Sequence, residues 1–448
     1  MGGGLLQLVA YGAQDAYLSG NPQITFWKSM FKRHTNFAME PFRVNFNGQA
    51  AWGTKHSAVL GRHADLLYST YLEVVLPSTI DGASLPSGKT NVFNNDQSRL
   101  GYNLIRYIEL DIGGQVIDRQ YGEWMYLWDA LTSDGPQQDK FLQMVGAGAP
   151  PGTYTPPNVK QCSAGSGRPA IPKVLYVPLF FFYTRNPGAA LPLIALQYHE
   201  VKITLQWNDA SVIAGNFTPA GGVLLQPIQA AIYIDYIYLD TEERRRMAQQ
   251  SHEYLVEQVQ FNEDKGISSY SNRIDLTFNH PVKELVWVVQ PSYYTNCSLA
   301  TGKGLSRLQP FTYDGSNTQT GGSFTGTAVY EQWLQFNGQD RLDKRYGDYF
   351  NKPQQSQHHS GFGYTDSTIG ATKQPNIYMY SFSIRPEEHQ PSGTCNFSRI
   401  DTATIVLNMS GAARVDADND DTWDIRVYAV NYNILRIMSG MGGLAYSN

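Results

Sequence analysis

Four groups of residues have types and spacings that could do chemistry. SLPSGKT, Ser84 to Thr90, ends like a phosphate-binding loop. Such a loop cradles phosphates with backbone N–H groups between a strand and a helix. Here Gly82 stands one residue too far upstream, Pro86 interrupts, and the flanking strand and helix patterns are missing. Asp416, Asp418, Asp420, Asp421 and Asp424 are dense enough for a calcium loop. An EF-hand reading puts Asp421 where the turn needs Gly and Val427 where the bidentate Glu belongs, so a solvated turn is expected. His358 and His359 sit in a polar stretch with no acidic or Cys neighbour, and read as an exposed loop pair. Cys162, Cys297 and Cys395 are far apart, odd in number and without a CxxC, which supports neither a zinc knuckle nor a disulfide framework and fits a reducing compartment. No nucleophile, base and orienting acid can be assembled from spacing. The expectation is a protein that is no enzyme, with no catalytic, cofactor-binding or metal-binding residues.

What remains is structure, and the elements show a repetition. IDRQYGEW, Ile117 to Trp124, returns as LDKRYGDY, Leu342 to Tyr349. RVNFNGQ (Arg43 to Gln49) resembles QVQFNED (Gln258 to Asp264), and IDYIYLD (Ile234 to Asp240) resembles VNYNILR (Val430 to Arg436). The three pairs keep their order, which points to an internal duplication of two halves of about 200 residues each. Each half reads as strands. Val201, Ile203, Leu205 and Trp207 alternate with polar residues, as do Ile274, Leu276 and Phe278, giving the period of two of a half-buried strand. In VYAVNYNI the inward set is Tyr428, Val430, Tyr432 and Ile434. Gly113-Gly114 and Asn337-Gly338 suit primed hairpin turns just before the repeated phrase.

Two helices are expected. NPQITFWKSMFKRHT, Asn21 to Thr35, has Asn21 as N-cap, Pro22 at the first helical position, an apolar side with Ile24, Trp27 or Phe26, and Phe31, and basic Lys28, Lys32, Arg33 and His34. Asp240 to Tyr254 has Asp240 capping, with Glu242 and Arg246 spaced to pair. Many short strands, Gly- and Pro-rich turns and little βαβ alternation predict antiparallel sandwiches. Long irregular segments break them at Pro77 to Leu100, Thr132 to Lys173, Asn208 to Pro227, Thr301 to Tyr330 and Asn351 to Pro375.

Composition narrows the class. The chain has 448 residues, 34 Lys+Arg against 39 Asp+Glu, and a net charge of -5, which argues against direct nucleic-acid binding. Only 16% of residues are charged while 13% are aromatic, the balance of a surface covered by copies of itself. No signal peptide is read at the start, Leu6 speaks against myristoylation, and VLYVPLFFFYT (Val174 to Thr184) is too short to span a bilayer. Sequons stand at Asn216, Asn296, Asn396 and Asn408; the first two look loop-borne and the others adjoin strands.

GAQDAYLSGNPQITFWKSMFKRHTNFA (Gly12 to Ala38), YLDTEERRRMAQ (Tyr238 to Gln249), PSGTCNFSRID (Pro391 to Asp401) and VYAVNYNILRIMSGMGGLAYSN (Val427 to Asn448) resemble the major capsid proteins of the nucleocytoplasmic large DNA viruses. The resemblance implies an all-β fold of two tandem eight-stranded antiparallel jelly rolls with a few short helices. It gives an arm at 1–40, a first jelly roll at 41–240, a connector at 241–255 and a second jelly roll at 256–448. It further implies a homotrimer, pseudo-hexagonal in outline, that tiles an icosahedral shell over an internal membrane and assembles in the host cytoplasm. The implied partners are neighbouring capsomers, minor capsid proteins and, through the arm, the membrane. Two rivals are a scaffold or minor capsid relative, and a carbohydrate-binding or carbohydrate-cleaving β-sandwich that would run as a monomer.

Overall fold

The computed structural model describes residues 3–24, 26, 29, 31–75, 100–133, 141, 144–146, 174–209, 212–213, 229–296, 299, 311, 313, 327–361, 365–366, 371–372, 376–410 and 422–446. SLPSGKT, Asp416, Asp418, Asp420, Asp421, Cys162, Cys297, Asn216, Trp27 and Lys28 lie outside the described residues, as do most of the long irregular segments.

The chain divides into Met1–Phe37 and Ala38–Asn448. In the first unit the helix expected over Asn21 to Thr35 is absent at every described residue; helical turns run instead over Gly3–Leu8 and Ala16–Ser19. Asn21, the expected N-cap, has φ 50°, left-handed where a cap needs extended backbone. A short helix draws its stability from burying an apolar face. Here Ile24, Phe26 and Phe31 are 90% or more exposed, so that gain is missing.

The strands of the second unit fall into two sets. The first is β1 (Phe37–Asn45), β2 (Lys55–Val59), β3 (Leu66–Val75), β4 (Ile105–Ile112), β5 (Gln115–Tyr121), β6 (Val174–Pro178), β7 (Leu191–Pro192), β8 (Val201–Trp207) and β9 (Gln229–Leu239). The second opens with β10 (His252–Ile267), β11 (Ser271–Leu276), β12 (Pro281–Pro291), β13 (Val329–Phe336), β14 (Gln339–Asp340), β15 (Arg345–Tyr346), β16 (Thr365–Asp366) and β17 (Ala371–Thr372). It closes with β18 (Ile377–Ser381), β19 (Cys395–Asn396), β20 (Ala403–Met409), β21 (Trp423–Met438) and β22 (Met441–Leu444). The first set pairs in the orders β1-β9-β3-β6 and β2-β8-β4-β5, the second in the orders β10-β21-β12-β18 and β11-β20-β13-β14. Matching strands by rank turns one order into the other, with β7, β15, β19 and β22 as short additions and β16-β17 as a separate hairpin. The neighbours in β9-β3-β6, β2-β8-β4-β5, β10-β21-β12-β18 and β11-β20-β13-β14 pair antiparallel. Two eight-stranded jelly rolls follow.

The alternation of β8 is met: Val201, Ile203, Leu205 and Trp207 are 2% exposed or less. Ile274, Leu276 and Phe278 line the core of the second sandwich. Gly113-Gly114 and Asn337-Gly338 have positive φ throughout, as primed turns require. The repeated phrases land on β1 and β10, on β5 and the β14–β15 stretch that likewise returns along β13, and on β9 and β21. Only one pair matches in facing. Val44 and Phe46 pack into their own sandwich, whereas Val259 and Phe261 of β10 turn outward onto the first one. A one-residue offset reverses facing along a strand, so that resemblance is of strand type rather than of register.

The YG phrase matches in full. A Cβ on Gly122 would lie 2.3 Å from the carbonyl oxygen of Ile105, which opens β4; one on Gly347 would lie 2.2 Å from that of Val329, which opens β13. Only Gly lets the backbone come so close at these two equivalent points. From Gly122 the chain runs into the helix Gly122–Thr132; from Gly347 it runs into Gly347–Asn351 and Pro353–His358. The expected irregular segment from Asn351 thus starts as helix, with Pro353 at a first-turn position.

The connector helix is Thr241–Gln249, with the Asp240 carboxylate accepting from Thr241 N at 2.7 Å. It stops short of Tyr254 because His252 already pairs with Ile437 on β21. Glu242 pairs with Arg245 rather than Arg246, and Arg244 reaches buried Asp65 at 2.9 Å, fastening the connector to the first sandwich.

Candidate functional site

In a protein without evident chemistry the working site is where modules meet. The outer face of the β10-β21-β12-β18 sheet is covered by the first sandwich, so both faces of this sheet are dry. Leu285, Trp287 and Val289 of β12 point into the second core, while Val286 and Val288 join the first. On β21, Val427 and Ala429 face the second core and Tyr428 and Val430 the first. Of the inward set expected for VYAVNYNI, Tyr428 and Val430 therefore lie on the junction face, while beyond them Leu435 and Ile437 join that cluster in place of Ile434. A strand buried on both sides reads as a near-continuous buried run, and KELVWVVQP has nine consecutive buried residues at Lys283 to Pro291, apolar in the middle with Lys283, Glu284 and Gln290 held by buried polar partners.

The opposing surface comes from the helix Gly122–Thr132, GEWMYLWDALT. Nine of its eleven residues are buried, Trp124, Met125 and Leu127 completely. This helix escapes sequence reading because burial all round erases the amphipathic period.

Buried polar groups cross the junction at several points. Glu123 accepts from Arg426 Nε at 2.6 Å, from Tyr428 Oη at 2.5 Å and from Tyr313 Oη at 2.7 Å; Arg426 also donates to Gln290. Burial and then the Glu123 charge push both tyrosines well above their usual range. Arg185 and Lys283 share Glu257, at 2.6 and 2.8 Å. Lys283, with its side chain fully buried, also donates to the Pro386 carbonyl, and the Arg185 guanidinium stacks 4.1 Å from the Trp128 ring centre. Asp118 accepts from Val259 N at 3.2 Å, and Gln258 donates to the Ile117 carbonyl. Burial raises the Asp118 carboxyl to about 6.

His359 overturns the expected exposed pair. His358 ends its helix in a partly open position, but the His359 side chain is fully buried. Its Nε2 lies 2.9 Å from Glu284 Oε2 and its Nδ1 lies 2.9 Å from Glu387 Oε1. Ionised carboxylates only accept hydrogen bonds, so both ring nitrogens carry protons and the ring is an imidazolium. Burial alone would lower its pKa; Glu284 and then Glu387 outweigh that and bring it to about 9. The next residues hook onto the first sandwich. Ser360 Oγ donates to the Thr132 carbonyl at 3.1 Å and Gly361 N to that of Leu131 at 2.7 Å. Both carboxylates lie far away in sequence, so adjacency gave no signal; the double His next to a predicted break was the only one.

The other candidates resolve plainly. Asp424 is buried and accepts from Ser292 Oγ at 2.6 Å and Gly266 N at 3.1 Å, a turn-holding role. Cys395 is a half-buried free thiol whose pKa burial raises. Asn296 is exposed; Asn396 is exposed too and caps Ser398 N, while Asn408 is buried in β20. Among the described residues no three His, Cys, Asp or Glu side chains gather as a metal site, and no helix is long and apolar enough to cross a membrane.

Residues 25–240 match a family model described as major capsid protein N-terminus, and residues 243–443 match the large eukaryotic DNA virus major capsid protein model. The major capsid protein of Phaeocystis pouchetii virus is 44% identical and that of Pyramimonas orientalis virus 43% identical, each with 100% of both chains covered. The fold is similar to the quasi-atomic model of the PBCV-1 virus capsid, with a TM-score of 0.71, 33% identity, and 95% of this chain and 100% of that one covered. The chain belongs to the large eukaryotic DNA virus major capsid protein family, a double jelly-roll structural component of the virion capsid that assembles with other capsid subunits.

Proposed function

We propose that three copies of this chain form a pseudo-hexagonal capsomer that tiles an icosahedral shell over an internal membrane. The division of labour is an arm at 1–40, jelly rolls at 41–240 and 256–448, and a connector at 241–255. The two family models, which change over between residues 240 and 243, support that partition. The subunit acts through its surfaces, without catalysis, cofactor or direct nucleic-acid contact. The observation that carries the reading is the same pair of strand orders occurring twice in one chain. Two like modules per subunit give a threefold ring six similar sides, so equal neighbours can surround it. Obligate interfaces of this kind bury on the order of 2,000 Å² or more.

The arm is the part that meets minor capsid proteins and the membrane. Tyr17, Leu18, Ile24, Phe26 and Phe31 are each 87% or more exposed, next to basic Lys32 and Arg33. Light scattering should give a mass near three times 50.1 kDa, and negative-stain images should show hexagonal outlines. A particle of one subunit mass refutes the reading. Deleting residues 1–35 should leave trimers that no longer build shells.

A further inference from the structure

We propose that the outer face of the β1-β9-β3-β6 sheet receives a second copy of this chain, and that the element docked there is that copy's segment Arg341 to Lys352. The inference rests on the trimeric reading and adds which surfaces meet.

It starts from one phrase used in two ways. Gly122 and Gly347 are seated alike against the start of β4 and β13, so Tyr121 and Tyr346 hold equivalent stations, as do Glu123 and Asp348. The first copy of the phrase is engaged within the chain. Tyr121 packs on Phe261 at 4.7 Å between ring centres, and Glu123 pairs with Arg426. Both partners lie on the outer face of the β10-β21-β12-β18 sheet. The second copy is bare. Tyr346 is 62% exposed with Tyr330 as its ring neighbour, and the Asp348 side chain is 51% exposed, paired with Lys352 one turn on.

The matching sheet is bare as well. β1-β9-β3-β6 occupies the rank positions of the covered sheet. Its outer face carries Tyr71 and Tyr176, 36% and 42% exposed, beside half-buried Tyr233, Glu73 and Asp235. Tyrosine is the residue type that interfaces favour over open surface. The charges are complementary: Glu73 and Asp235 on the face meet exposed Arg341, Lys344 and Arg345 on the incoming edge. An unused edge and an unused face on one chain make a head-to-tail contact. Repeated by rotation, that contact closes into a ring.

Two double variants test it in the full chain. Lys344→Glu with Arg345→Glu puts acid on the edge; Glu73→Lys with Asp235→Lys puts base on the face. All four residues are exposed or half-buried, so circular dichroism should remain native. Each pair should weaken trimer formation roughly tenfold or more in light scattering, and the quadruple variant should regain most of it. A second measurement uses Tyr346→Cys with Tyr176→Cys and a short bismaleimide, in a chain with Cys162, Cys297 and Cys395 replaced by Ser. Cross-linked dimers and trimers should form only when both substitutions are present, which needs no charge-reversed protein. Trimers that survive both charge reversals, with no cross-link, overturn the interface and leave the trimer standing. A wild-type chain that runs as a monomer overturns the trimer itself.

Discussion

The two sandwiches share a strand order but differ in what covers them. The β10-β21-β12-β18 sheet lies between two cores, and its central strands β12 and β21 give apolar side chains to both. The matching β1-β9-β3-β6 sheet has one core face and one tyrosine-lined open face. The helices that follow the YG phrase differ in the same sense: eleven residues, nine of them buried, in the first copy, against two short pieces in the second. The framework is the same in both. Position within the subunit then decided which copies of a surface became interior.

Four experiments break or sharpen that comparison. Glu123→Ala leaves Arg426 charged, buried and unpaired, and should cost about 3–5 kcal/mol in denaturant melts at every protein concentration. Its counterpart Asp348→Ala loses an exposed pair, under about 1 kcal/mol in dilute protein. Its cost should rise only where subunits associate. Equal, concentration-independent costs would mean that the two phrases share one environment.

His359→Gln should cost roughly 3 kcal/mol near neutral pH, because the pKa of this buried ring stands well above its unfolded value. A raised His pKa gives stability that is fully present below about 6.5 and is lost as pH rises through about 9. The gap in Tm between wild type and variant should therefore narrow across that interval. Glu284 and Glu387 are both lowered, with burial opposing and His359 driving the shift. Their contribution is present above the ordinary Glu range and fades as pH falls below it. A Tm gap that is flat from pH 6 to 10 would show that the ring carries no extra proton.

Gly122→Ala and Gly347→Ala should each destabilise by about 1–3 kcal/mol, since both force a Cβ against a carbonyl oxygen. Equal losses in thermal melts would support equivalence of the two seats. Gly114→Ala and Gly338→Ala come last, at about 1 kcal/mol each: both have positive φ and open space around them. A harmless substitution at either turn would break the match between the hairpins.

The sequence made some elements legible and hid others for physical reasons. Strands with one wet face, such as β8 and β11, announce themselves by alternation, and Gly-Gly and Asn-Gly mark the turns from β4 to β5 and from β13 to β14. β21 shows alternation too, but with both faces buried the pattern selects the junction face rather than the interior. The helix Gly122–Thr132 lost its period by being buried all round. The arm erred in the opposite direction: Asn21-Pro22 and an apolar stripe look like a helix start, but propensity without burial did not make a helix. His359 needed partners 75 residues upstream and 28 residues downstream, which only the fold brings together.

The dry sheet has a consequence for dividing the molecule. Although the same strand order occurs twice, the chain does not separate into two half-proteins. A fragment starting near residue 256 would present Val286, Val288, Tyr428 and Val430 to solvent as one greasy panel. The first half alone would strand the Trp124–Leu131 helix in water. Each half is now the other's missing wall, so truncation should yield aggregates where a bead-on-a-string protein would yield domains.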